Sequence, residues 1–130
     1  KAQTTLMSAH FEIREELETT FERTISHAIK LERMAAPLLE EMIELRKSAR
    51  QLRDVGAMAR FPLISVVAAL LVDLLNRQIA ASVGHRADVL ACMIDTLLLA
   101  KGQAYRDTTP EEAPELMDHL HKMFNSVVAA

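Results

Sequence analysis

Cysteine occurs once in this chain, tryptophan not at all, and glycine only three times in 130 residues. A single Cys excludes a disulfide framework and any CxxC zinc or redox motif. With 4 Pro, 4 Phe and 1 Tyr besides, the sequence is too poor in turn formers and aromatics for a β-sandwich or barrel, which needs a turn about every 8–12 residues. No long hydrophobic run is present. The most apolar stretch, Phe61 to Leu75, is interrupted by Ser65 and Asp73 and falls short of the roughly 20 residues that cross a bilayer. The first residues, Lys1-Ala2-Gln3, lack the n-region and apolar h-region of a signal peptide. The chain also lacks an excess of positive charge: its net charge of −3 gives no broad basic surface for nucleic acid or an anionic membrane. What is present is half apolar, with seven Met and runs rich in Leu, Ala, Glu and Arg. The composition predicts one all-helical domain with its own core, soluble and cytoplasmic, with no cofactor.

From residue 4 to 54 there is no Gly and one Pro, and apolar residues recur every seven positions. In one register the a positions are Met7, Arg14, Phe21, Ala28, Ala35, Met42 and Ala49, and the d positions are His10, Leu17, Thr24, Leu31, Leu38, Leu45 and Leu52. Between Ala28 and Leu52 every such site is apolar, a coiled-coil-like seam. Pro37 falls away from the seam, and the register continues in phase on both sides. The pattern therefore predicts one long, kinked helix over 4–55 rather than a hairpin. Acidic residues near its start (Glu12, Glu15, Glu16) and basic ones near its end (Arg46, Lys47, Arg50, Arg53) suit the helix dipole.

Gly56 is expected to end that helix, with Pro62 opening the next in its first turn. Residues 62 to about 82 are apolar nearly all round, and Gly84 is expected to cap them. A third helix is expected from Arg86 to Lys101, closed by Gly102. Thr109-Pro110-Glu111-Glu112 reads as a capping box, with Pro114 delaying the regular helix by a turn. Leu116, Met117, Leu120, Met123, Phe124 and Val127 then form a one-sided stripe. The expected architecture is an all-α bundle: a long first helix followed by three shorter antiparallel ones.

A first helix of that length would extend about 75 Å, against about 24–32 Å for the others. Three short helices cannot cover it. The seam residues Ala28, Leu31, Ala35, Leu38, Met42, Leu45 and Leu52 are therefore expected to form a homodimer interface, parallel or antiparallel. Two other readings remain open: Pro37 breaks the helix, and its halves fold back into a monomeric bundle; or the chain is a piece whose first helix continues from an upstream domain.

No strong catalytic motif occurs. His119 and His121 point to different sides of a helix and share a metal poorly. Asp118 with His121, or Glu115 with His119, has helical spacing but no second carboxylate cluster, so no metal site is expected. Cys92 sits in the apolar run Val89–Ile94 as a small hydrophobe, with no base at local spacing. Asp73 and Asp95 lie in the two most apolar helices, either sharing a polar spot with Arg77 or Arg86 or marking exposed strips. Arg46, Arg50 and Arg53 share a helical face that could contact a small anion.

The run Phe21-Glu22-Arg23-Thr24-Ile25-Ser26-His27-Ala28-Ile29-Lys30 resembles the H-box on the first helix of histidine-kinase dimerisation domains. It has Phe six before the His, an aliphatic two before, Ser just before, an aliphatic two after and a base three after. The likeness covers about ten residues and implies a phosphoacceptor at His27. It departs at Ala28, where an acidic general base usually follows, and at Glu32, where Pro is usual. Three isolated Gly cannot build an ATP lid, which excludes a kinase on this chain. The sequence thus points first to a non-catalytic helical module for self-association and for binding another signalling protein. Phosphotransfer through His27 is the alternative, and an apolar-ligand pocket between the helices at 62–82 and 86–101 a second.

Overall fold

A computed structural model describes residues 2–34, 39–80, 87–102 and 105–128, without the side chains of 2–11, 87–88, 123–124 and 126–128. The protein is all helical among the described residues, with five α-helices packed together. They are α1 (Ala2–Arg33), α2 (Leu39–Met58), α3 (Pro62–Ala80), α4 (Ala87–Ala100) and α5 (Pro114–Val128), with a 3-10 turn at Pro110–Glu112.

The stretch expected as one kinked helix is two. Met34 N–H bonds to Leu31 O at 3.1 Å, a tightened last turn that closes α1. Pro37, Ala35 and Leu38 lie outside the described residues. α1 and α2 run antiparallel: Thr24 meets Ser48 at 2.7 Å, Lys30 meets Glu41 at 3.0 Å, and Arg23 meets Gln51 at 3.1 Å. The hairpin wins because it buries within one chain what a straight helix leaves in water. Ala28, Leu31, Leu45, Ala49 and Leu52 are each 0% exposed and Met42 is 4%. Burying a Leu or Met side chain contributes about 1.5–3 kcal/mol. The heptad phase misleads because two antiparallel arms each carry their own core stripe, and nothing in a 3.5-residue repeat says whether the facing stripe belongs to another copy or to the same chain.

α2 also packs on α3, with Arg46 Nη1 donating to Asn76 Oδ1 at 2.9 Å near one end of the pair. α4 packs against both α1 and α3, so four helices enclose the core. One cluster joins Ala28 and Leu31 of α1 with Leu71, Leu74 and Leu75 of α3 and Val89, Leu90 and Met93 of α4. A second joins Leu17 and Phe21 with Leu63, Val67, Leu97 and Ala100, and takes in Met117 and Leu120 from α5. α3 is long and apolar enough to cross a membrane by length and composition, and its most apolar window is 50% buried inside the fold. Its exposed strip is Asp73, Arg77 and Ala80.

The glycine expected to end the first helical stretch does something else. Gly56 is buried inside α2, two residues before its end at Met58. A Cβ there would come within 3.2 Å of Ser65 N and of Ile64 Cγ2, so glycine permits the close crossing of α2 and α3. The left-handed cap falls at Arg60, with φ 69°. Phe61 N–H bonds to Gly56 O at 2.9 Å and Arg60 N–H to Ala57 O at 3.3 Å, the two bonds of a Schellman motif. Asp107, also left-handed at φ 63°, donates its N–H to Arg60 O at 2.8 Å, and its carboxylate pairs with Arg60 Nε at 2.8 Å. These two turns therefore hold each other. Pro62 opens α3 as expected, and Gly84 lies outside the described residues.

Candidate functional site

Thr109 and Glu112 set the entry of the last helix. Both the N–H and the Oγ1 of Thr109 donate to Glu112 Oε1, at 3.3 and 2.9 Å, the reach-back half of a capping box. Pro110 to Glu112 form the 3-10 turn, and Pro114 starts α5 one turn later. This start lays the stripe of Leu116, Met117 and Leu120 against the second core cluster. His119 stands at the edge of that stripe, and Cys92 stands at the edge of the core face of α4. The two edges meet: Cys92 Sγ lies 3.4 Å from His119 Nε2. Cys92 is partly buried and His119 exposed. Burial pushes the Cys92 thiol up, Thr96 at hydrogen-bond distance pulls it down, and the nearby Asp95 carboxylate adds to the rise.

Local spacing gives no sign of this pair, since 27 residues separate its members. The available signal is that each flanks an apolar stripe, and helices packed stripe to stripe bring flanking residues together. No base lies at local spacing from Cys92, and His119 reaches it through the tertiary contact.

His27 is half-buried on α1. Of the residues that carry its likeness to an H-box, Phe21 is 2% exposed, and Ile25 and Ile29 are partly buried against the core clusters. Lys30, the base three after, pairs with Glu41 of α2 across the hairpin. Helix packing thus accounts for the apolar spacing of Phe21, Ile25 and Ile29 around His27, while Ser26 is exposed.

Of the seam expected between subunits, Ala35 and Leu38 lie outside the described residues. Ala28, Leu31, Met42, Leu45 and Leu52 face the bundle core, which leaves none of them for a second copy. The expected anion face is also largely engaged. Arg46 bonds Asn76, Arg53 pairs with its neighbour Asp54 at 3.1 Å, and Arg50 is exposed. Asp73 and Asp95 are both exposed; Asp73 pairs with Arg77 at 3.6 Å along α3, and the two carboxylates mark outer strips rather than a shared buried spot. Asp118 pairs with Lys122 at 3.5 Å. No group of three or more His, Cys, Asp or Glu that could hold a metal occurs among the described residues. The side chain of His10, and His85 altogether, lie outside them.

The apolar helices α3 and α4 meet through Leu71, Leu74, Leu75, Val89, Leu90 and Met93 in one buried cluster. No protein family, curated protein or solved structure matches the chain.

Proposed function

We propose that this chain is a helical protein-interaction module of a cytoplasmic signalling assembly, and that it self-associates through the first part of α1. The carrying observation is the mismatch of the hairpin arms: α1 has 32 residues and α2 has 20. The Thr24–Ser48 register puts the end of α2, Met58, level with about residue 14 of α1. The preceding stretch of α1 extends roughly 18 Å further at 1.5 Å per residue. In sequence it carries Leu6, Met7 and Phe11 at helical spacing. A second copy is the occupant this reading assigns, because a two-fold axis lets one such stripe cover its equal.

Sedimentation equilibrium at micromolar to millimolar concentration tests it. The wild type is expected to dimerise, and Met7→Glu with Phe11→Glu to be monomeric with unchanged helical circular dichroism. A wild type that stays monomeric throughout overturns the reading.

Phosphotransfer remains the second reading, favoured by one observation: His27 is only half-buried, so its imidazole keeps a solvent face for attack on phosphorus. Acid-labile phosphate on the wild type but not on His27→Gln, after incubation with a phosphorylated receiver protein, is the expected result. Equal labelling of the two proteins removes it.

A further inference from the structure

Cys92 and His119 meet across two helices, and neither is used by the self-association or phosphotransfer readings. We propose that the pair is a thiol-modification site, at which Cys92 exchanges with low-molecular-weight disulfides and His119 removes the thiol proton. The geometry carries this. Sγ and Nε2 are 3.4 Å apart, within reach of a direct S–H to N hydrogen bond when the imidazole is the neutral Nδ1–H tautomer. Cys92 is partly buried and His119 is exposed, so a small disulfide approaches from the solvent side of the α4–α5 contact.

The reaction balances without a cofactor. The Cys92 sulfur attacks one sulfur of the disulfide RS–SR as Nε2 takes the thiol proton. The S–S bond breaks, and its electron pair leaves on RS⁻, which recovers the proton from the imidazolium. The products are a Cys92 mixed disulfide and one RSH, with the protein thiol oxidised and the disulfide reduced.

The surroundings make the imidazole necessary. Burial and the Asp95 carboxylate hold the thiol above its ordinary range, so free thiolate is scarce at neutral pH. From α5, Asp118 and Lys122 pair with each other, and Glu115 is exposed. α1 and α3 meet α4 through apolar core side chains, and Lys101 lies over the Phe21 ring, 4.8 Å from its centroid, at the far end of α4. His119 is thus the group placed to accept the proton.

The chain has one Cys, so any thiol reactivity is that of Cys92. The experiment follows mixed-disulfide formation with oxidised glutathione by intact mass, from pH 6 to pH 10, on the wild type, His119→Gln and His119→Ala. At pH 7 both variants are expected to react at least about tenfold more slowly than the wild type. The gap is expected to close at high pH, where the thiolate forms unaided. Retained circular dichroism and thermal midpoint separate this effect from unfolding, and His119, being exposed, tolerates both changes. Equal rates and identical pH profiles for the three proteins overturn the proposal. So does a pH-independent loss in both variants, which would mean that His119 acts only through packing.

Discussion

Thr24 has one hydroxyl proton, and the Thr20 carbonyl takes it at 2.8 Å. Its 2.7 Å contact with Ser48 Oγ must therefore use the Ser48 proton, with Thr24 Oγ1 accepting. Thr24 is 0% exposed and Ser48 is 3%, so this polar contact sits inside an apolar interface where an unmade bond carries its full desolvation cost. The two ends are not equivalent. Ser48→Ala removes a donor but leaves Thr24 bonded to Thr20, and is expected to cost about 0.5–1.5 kcal/mol. Thr24→Val takes away both bonds and strands the Ser48 hydroxyl, and is expected to cost about 1–3 kcal/mol. Urea denaturation of the two variants checks the order. A Ser48→Ala loss larger than that of Thr24→Val contradicts the donor assignment. Position d of the heptad, which Thr24 occupies, otherwise calls for an apolar side chain. A hydroxyl there is tolerated because a short polar residue lies opposite, on the returning arm.

Among the elements, the α2–α3 corner shows how a residue's role depends on what lies across from it. Ala at position 56 would improve helix propensity by about 1 kcal/mol over Gly. The added methyl, however, meets the backbone nitrogen of Ser65 at 3.2 Å, and backbone yields less readily than a side-chain tip. Overpacking of this kind costs typically about 1–3 kcal/mol. Gly56→Ala is expected to be destabilised by about 1 kcal/mol net, and a raised thermal midpoint would show that α3 moves away freely. The same corner marks what was legible in the sequence. Helix content, the start of α3 at Pro62 and the turn before α5 follow from local rules that act over one or two turns. The roles of Gly56 and Arg60 do not, because a glycine under a crossing helix and a glycine in a cap look alike in one dimension. Arg60 holds the left-handed position through Asp107, which is 47 residues away in sequence. The hairpin was hidden for the same reason: the stripes of α1 and α2 have the phase of one helix, and their antiparallel pairing is a tertiary fact. The Cys92–His119 contact belongs to that class too.

At the scale of the molecule, the helices are held unequally. Among the described residues α1, α2 and α3 each pack chiefly on two helices and α4 on three, whereas α5 packs chiefly on α4 and the 3-10 turn. Its described anchors are Met117, 9% exposed, and Leu120, 0% exposed, while most of its remaining described face is in water. An element with one principal helical neighbour can open without dissolving the rest, so its amides are expected to exchange through a local opening rather than through global unfolding. Truncating a buried Leu to Ala costs about 2–5 kcal/mol, but which amides report the loss depends on the element that loses the side chain. Leu120→Ala is expected to speed hydrogen exchange in α5 while leaving the slowest amides of α2 and α3 nearly unchanged. Leu45→Ala, at the meeting of α2 with the first core cluster, is expected to lower protection in all four core helices together. Native-state hydrogen exchange by mass spectrometry separates the two patterns. Equal acceleration everywhere in Leu120→Ala would mean that α5 and the four core helices unfold as one unit. Independent opening would also bare Cys92, so the mixed-disulfide rate should rise in Leu120→Ala only where His119 is not needed, at the high-pH end of the profile.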